Sequence, residues 1–260
     1  MPADVSSGND RQPGAGLTLS GVGKRFGEVV ALAGIDLGVP RHSRTGLVGP
    51  SGCGKSTLLH IVAGLLEPDA GEVDVAGATA AADRLAACAL MLQRDLLLPW
   101  RTALDNAAIA LENRGVPRKE ARSRARPLFA RFGLAMFEDA RPGQLSGGMR
   151  QRVSFMRTLA ADKDVLLLDE PFGSLDSITR ARMQEWLLRA LAEVPRTVLL
   201  VTHDVEEALL LSNVVVVMSA RPGRVVRVLT PGFPTDAPRR EIVTSPEFVA
   251  LKEQALEAIG

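Results

Sequence analysis

Gly49-Pro50-Ser51-Gly52-Cys53-Gly54-Lys55-Ser56-Thr57 meets the pattern G-x-x-x-x-G-K-[ST] at every fixed position. Arg44-Thr45-Gly46-Leu47-Val48 before it reads as a short strand running into the loop. After it, apolar residues at Leu58, Leu59, Ile61, Val62, Leu65 and Leu66 have the spacing of a helix over 56–66. Strand, glycine loop and helix in this order predict a phosphate cradle. Glycines let successive backbone N–H groups turn inward without Cβ clashes, and the helix start adds partial positive charge. In such a loop Lys55 reaches the β and γ phosphates and the Ser56 hydroxyl a Mg²⁺ ion. The bland alternative is a glycine-rich turn that merely contains Lys-Ser, and the flanking strand and helix weigh against it.

At 260 residues the chain exceeds one average domain, which suggests two lobes on one α/β core. Lys and Arg total 31 against 30 acidic residues, so no global basic field draws the chain to DNA or RNA. Cys53 and Cys88 are the only cysteines and form no CxxC pair, which argues against disulfides and a zinc site; with no secretory leader, a reducing cytoplasm is expected. The longest apolar run, over 208–220, contains Ser212 and Asn213 and falls short of a membrane span. Membrane association is therefore expected only through a partner.

Residues 1–16 are rich in Gly, Pro, Ser and Asp and read as a disordered leader. Strand patterns follow at 17–19 and 29–39, with Gly23-Lys24-Arg25-Phe26-Gly27 as a turn between them. Phe26 is either ordinary core or a ring that stacks on adenine, since purines stack on aromatic faces. Beyond the loop helix, residues 72–77 alternate like a half-exposed antiparallel strand, implying a mixed sheet. Residues 86–92 form an apolar run ending at Gln93, where open α/β sheets bind ligands; Gln93 is a candidate Mg²⁺ or water ligand, or a surface residue.

From 96 to 140 β-branched runs give way to Ala, Leu and Arg, broken at Pro99, Gly115, Pro117, Pro127 and Gly133. This predicts a small helical lobe, about 96–160, inserted into the sheet domain. Its Arg118, Lys119, Arg122, Arg124, Arg126 and Arg131 have no interleaved aromatics and read as a solvated face rather than a nucleic-acid surface. Leu145-Ser146-Gly147-Gly148-Met149 opens a further helix and offers N–H groups and a hydroxyl but no lysine, half of a phosphate site, or a plain N-cap.

Val165-Leu166-Leu167-Leu168 reads as a strand buried on both faces, discharging into Asp169-Glu170. Adjacent carboxylates there need a cation: Asp169 suits Mg²⁺, and Glu170 suits polarisation of an attacking water as general base. Thr197-Val198-Leu199-Leu200-Val201 repeats the design and delivers His203 toward the γ-phosphate or the water.

In this order the motifs resemble the ATP-binding subunit of an ABC transporter over residues 17–230. Phe26 falls at the aromatic A-loop, residues 49–57 at Walker A, Gln93 at the Q-loop and residues 145–149 at the signature. Walker B follows at 165–169, then Glu170, Ser174-Leu175-Asp176 as the D-loop and His203 as the H-switch. The chain departs in carrying Phe26 where Tyr is commoner and Asn213 where Asp often stands.

The resemblance implies a P-loop NTPase (RecA-like) core with an antiparallel β subdomain and an inserted α-helical subdomain, binding ATP with Mg²⁺. It implies a head-to-tail dimer, homomeric in the simplest case, in which Ser146, Gly147, Gly148 and Asp176 of one copy complete the site of the other. It also implies permease subunits in the membrane, a substrate-binding protein outside it, and a peripheral position on the cytoplasmic face.

Residues 93–107, 171–176 and 219–224 are similar to importers of the nitrate, sulfonate and taurine group, with a pyrimidine precursor as the next cargo. The stretch Leu97-Leu98-Pro99-Trp100 is a candidate docking surface for the permease, with burial of Trp100 between lobes as the alternative. A tail over 231–260, with a helix over 247–259, is too short for the regulatory barrel of sugar importers. A DNA- or ribosome-acting relative would be expected to carry a second cassette, a coiled coil or a zinc insert, and a module without turnover to lack Glu170 or His203. Neither description fits.

Overall fold

The structure is a computed structural model that describes residues 15–234 and 237–260. The expected leader lies outside the described residues through residue 14. Ala15 and Gly16, grouped with it on composition, instead open β1 (Ala15–Phe26), which pairs antiparallel with β2 (Val29–Pro40). The turn expected at 23–27 narrows to Gly27-Glu28, because β1 absorbs Gly23 to Phe26 through register shifts, with Gly23 still paired to Ala70. Bulges of this kind carry a strand past irregular residues without ending it.

β3 (Arg44–Val48) enters the glycine loop, and α1 (Lys55–Val62) leaves it. The helix is shorter than the apolar pattern over 56–66 suggested. Gly64 has φ +76°, and a Cβ there would lie 2.2 Å from the Ala81 carbonyl oxygen, so the chain turns where only glycine fits. β4 (Ala70–Val75) then pairs with β1, giving a separate three-stranded antiparallel sheet in the order β2-β1-β4. The antiparallel strand read at 72–77 thus belongs to the antiparallel β subdomain that the resemblance implies, apart from the sheet that carries the glycine loop. α2 (Ala81–Ala87) takes up Ala86 and Ala87, and β5 (Cys88–Met91) is correspondingly short.

α3 (Ala103–Glu112), α4 (Arg118–Arg131) and α5 (Gly147–Ala160) pack together after β5. Then come β6 (Val165–Asp169), α6 (Ser177–Glu193), β7 (Thr197–Val201), α7 (Val205–Leu211), β8 (Val214–Met218) and β9 (Val225–Leu229). α8 (Arg239–Val243) and α9 (Pro246–Ile259) close the chain, α9 beginning one residue before the expected start. The second sheet runs β5-β6-β7-β3-β8-β9, parallel except for the β8–β9 pair.

The unbroken apolar run of β6 is explained by its surroundings. Leu166 and Leu168 pack with α3, α4 and α5, while Val165 and Leu167 pack on the opposite face with α1 and the small antiparallel sheet. Each such leucine contributes about 2 kcal/mol by burial. Four of the six basic residues of α4 are ion-paired: Arg118 and Arg122 reach the buried Asp105 at 2.8 and 2.6 Å, Arg126 reaches Glu138 at 2.8 Å, and Arg124 pairs with Glu120. Burial opposes ionisation of Asp105, but hydrogen bonds from Arg118, Arg122 and Thr102 prevail and hold its carboxyl below the usual range. No helix among the described residues is long and apolar enough to cross a membrane.

Candidate functional site

Four neighbouring strands deliver the polar residues. β5, β6, β7 and β3 lie side by side and parallel, so their carboxyl ends bring Gln93, Asp169-Glu170, Thr202-His203 and the glycine loop to one edge of the sheet. Ligands of open parallel sheets bind at this edge, because the strand ends release side chains there while the helices cover the faces.

The loop is held closely on its sheet side. Gly54 precedes α1 at φ +105°, and a Cβ on it would stand 2.7 Å from Leu32 Cδ2 and 3.1 Å from the Ala31 carbonyl oxygen. β2 thus touches the loop directly and carries the small sheet, and with it Phe26, to that side. Lys55 is buried, its ammonium donating to the Gly49 carbonyl at 2.7 Å and the Pro50 carbonyl at 2.9 Å. With the Cys53 sulfur 3.8 Å away as its other partner, this buried ammonium meets only neutral groups and suits a polyphosphate.

Asp169 is buried, and burial pushes its carboxyl above the usual range. The Ser56 hydroxyl hydrogen-bonds to it and partly opposes that rise, while the neighbouring Glu170 adds to it. One Asp169 oxygen, Oδ1, is buried without any hydrogen-bond partner. An orphaned carboxylate oxygen beside a serine hydroxyl is a pair of oxygen ligands that a hard divalent cation fits, with the lysine ammonium left to a polyphosphate. No cluster of three or more His, Cys, Asp or Glu that could hold a metal occurs among the described residues.

Glu170 lies just past β6 with φ +48°, an uncommon conformation for a residue with a Cβ that costs on the order of 1–2 kcal/mol. Its N–H continues the ladder to the Val201 carbonyl at 2.8 Å. The turn sends its carboxylate toward two partners. Gln93 Nε2 donates to Oε2 at 2.8 Å, and His203 Nδ1 stands 3.2 Å from Oε1. Glu170 therefore joins two residues named from separate stretches of sequence, Gln93 and His203.

Other expected residues are less closely gathered. Phe26 is half exposed at the end of β1, with the Lys24 ammonium 5.8 Å from its ring centroid; it is not core. Ser146 caps α5, accepting from the Met149 N–H at 3.2 Å, and Gly148 packs against Ser174 and Leu175. Among the described residues no hydrogen bond joins Ser146, Gly147 or Gly148 to residues 49–57. Asp176 caps α6 through the N–H groups of Ile178 and Thr179, and the Thr179 bond foremost holds its carboxyl below the usual range. Trp100 is 69% exposed, whereas Leu97, grouped with it as surface, is core beside Leu104.

Three arginines escaped the sequence reading. Arg150 reaches Asp95 at 3.0 Å, and Arg157 donates to the Asp95 and Leu96 carbonyls at 2.8 and 2.9 Å, strapping the segment after Gln93 onto α5. Their seven-residue spacing, which puts both on one helix face, was the available signal. A cleft of about 430 Å³ lies between this segment, Gly147 and Ser174. Arg221 donates from Nε and Nη2 to the Gly52 carbonyl at 3.2 and 3.1 Å, and nearby Gly223 exchanges backbone hydrogen bonds with Ala31 and Ala33 of β2.

A family model described as ABC transporter matches residues 32–173. The chain is 46% identical over 230 residues to a taurine import ATP-binding protein, TauB, of Chromobacterium violaceum, covering 87% of this chain and 88% of the relative. It is 49% identical over 204 residues to the aliphatic sulfonates import ATP-binding protein SsuB 1 of Rhodococcus jostii, covering 78% and 79%. Among solved structures it resembles the dimeric post-hydrolysis state of the ATP-binding cassette MJ0796 bound to ADP and Pi, with TM-score 0.76 and 30% identity over 84% of this chain and all of that one. With more than half its length matched and its strand-end residues converging beside a glycine loop, the chain belongs to the ABC transporter family.

Proposed function

We propose that the chain is the ATP-hydrolysing subunit of an importer for a small sulfonate, working as a dimer against permease subunits at the membrane. The observation that carries the hydrolytic half is the Glu170 carboxylate, fixed between Gln93 and His203 one residue beyond the orphaned oxygen of Asp169. Lys55 and the N–H groups of residues 49–57 bind the β and γ phosphates, and Phe26 lies against the adenine. Ser56, Asp169 and Gln93 hold Mg²⁺, which when bound neutralises and aligns the phosphate oxygens. Glu170 accepts the proton of the attacking water, and the two contacts on its oxygens set the direction in which it accepts. His203 faces the γ-phosphate side.

The half-site at Ser146, Gly147 and Gly148 has no lysine and no link to residues 49–57 of its own chain, so it suits the γ-phosphate held by a second copy. Asp176 and the exposed Ile178 beside it belong to the same face. Residues 96–160 act as the lobe that receives the permease, at the exposed Leu96 and Trp100. The sulfonate is favoured by the two relatives, named for taurine and for aliphatic sulfonates.

The test is reconstitution with the permease that co-purifies with the tagged chain from membranes, followed by ATPase assays with binding protein loaded in turn with taurine, an alkanesulfonate, nitrate and a sugar. Stimulation by a sulfonate is the expected result. Stimulation by the sugar alone would overturn the cargo, and turnover insensitive to the permease would overturn the transport role.

A further inference from the structure

The C-terminal segment reaches the catalytic edge through a chain of buried polar groups. Gln184 of α6 and Glu207 of α7 are 2% and 4% exposed, and Gln184 Nε2 donates to Glu207 Oε1 at 2.8 Å. The other end of the Gln184 amide is taken by α8, where Arg239 Nη1 donates to Gln184 Oε1. Glu207 is ordered in turn by the loop that carries His203. Its N–H donates to Asp204 Oδ1 at 3.2 Å, burial pushes its carboxyl above the usual range while hydrogen bonds from the Thr202 hydroxyl and Gln184 partly oppose that rise, and the Asp204 N–H donates to Thr202 Oγ1 at 3.1 Å. Glu207, Thr202, His203 and Glu170 line one small cleft. Two further ties hold the tail on α7: Lys252 meets Glu206 at 2.6 Å, and Phe248 and Ala255 pack with Val205, Ala208 and Leu209.

The polarity of this chain is fixed from its outer end. A guanidinium only donates, so it can engage only the oxygen of an amide, and the amide NH₂ must then face the other way. Glu207 Oε1 accepts there from Gln184 Nε2. Without Arg239 the buried amide has, among the described residues, no partner for its oxygen, and the alternative orientation turns that oxygen toward the oxygen of Glu207 that now accepts from it. Arg180, whose charge also bears on Glu207, donates to the Leu175 carbonyl at 3.1 Å with Asp204 3.9 Å away, and its Nε is buried without a partner.

We propose that Arg239 is a positioning residue for the hydrolytic site, acting through Gln184 and Glu207 to fix the loop that presents His203 to Glu170. The role of His203 rests on the function proposed above; the linkage from Arg239 to His203 does not.

The experiment uses the full chain with ¹⁵N-labelled histidine and the variants Arg239→Ala, Arg239→Lys and Arg239→Glu, with His203→Ala for comparison. In Arg239→Ala the imidazole signals of His203 move while those of His42 and His60 stay, kcat falls roughly tenfold, and KM for ATP stays within about twofold. Arg239→Lys, which still donates, restores most of the rate. Arg239→Glu, which only accepts, is worse than Ala because it inverts the amide. Added to His203→Ala, Arg239→Ala has little further effect. Unmoved His203 signals in Arg239→Ala overturn the linkage, as does a Glu variant no worse than Ala. If Arg239→Ala does not fold, the Lys and Glu pair decides. Full turnover by His203→Ala together with shifted His203 signals would overturn the assigned role of His203 and leave the linkage supported.

Discussion

Gln93 Nε2 donates to Glu170 Oε2 at 2.8 Å across 77 residues of sequence. The two residues end adjacent parallel strands, β5 and β6, so register alone brings them level. With His203 on the other carboxylate oxygen, Glu170 is oriented from both sides. In the proposed role of general base a carboxylate oriented in this way would accept a proton along one direction, and the segment after Gln93 is strapped to α5 by Arg150 and Arg157.

Phe26 is half exposed, so truncating it removes little packing. Phe26→Ala is expected to weaken ATP binding by about 1–3 kcal/mol with little change in the rate at saturation, and Phe26→Tyr to be nearly neutral. Nucleotide titration together with thermal melting checks this. Unfolding without a change in affinity would make the ring structural.

Asp169 gives a pH signature. Burial raises its folded pKa above the unfolded value, so the folded chain holds the proton more tightly. Its contribution is then favourable below the unfolded pKa and lost as pH rises through the folded one. In metal-free protein, Asp169→Asn should melt higher than the parent at pH 7, with the gap narrowing toward pH 4, while losing Mg²⁺-dependent turnover. Melting curves at the two pH values test it; an Asn variant less stable than the parent at pH 7 would count against the orphaned oxygen.

In the helical lobe the sign is opposite. Asp105 is held below the usual range by Arg118, Arg122 and Thr102 against its burial, so its stabilisation is present above the unfolded pKa and lost as pH falls through the folded one. Asp105→Asn should lower the melting temperature at pH 7 and lose that effect under acid. A constant difference between the two proteins across the acid range would contradict the pairing.

Trp100 stands 69% exposed. Trp100→Ala should therefore leave the melting temperature and the ATPase of the isolated subunit close to the parent's while abolishing stimulation by a loaded binding protein in the reconstituted system. Intact coupling in that variant would remove Trp100 from the docking surface.

Much of this arrangement was legible because its signals are local. The phosphate loop needs fixed glycines and a lysine in one stretch, and β6 and β7 announce burial by unbroken apolar runs that end in Asp169 and before His203. The rest depends on long-range contacts. The turn before β2 moved because β1 bulges, and α1 stopped early because Gly64 meets a carbonyl from the start of α2. Leu97 looked like its exposed neighbour Leu96, whose φ of +44° turns the two side chains to different surroundings. Arg221 and Arg239 act on groups 169 and 55 residues away, and no spacing rule reaches that far.

Steady-state ATP turnover of Glu170→Gln, measured beside ATP binding and dimer formation and against Lys55→Ala, tests the account most directly. Glu170→Gln should bind ATP, accumulate as an ATP-bound dimer and lose roughly a hundredfold or more in turnover, whereas Lys55→Ala should bind ATP poorly. Near-normal hydrolysis by Glu170→Gln would contradict the assignment of the general base.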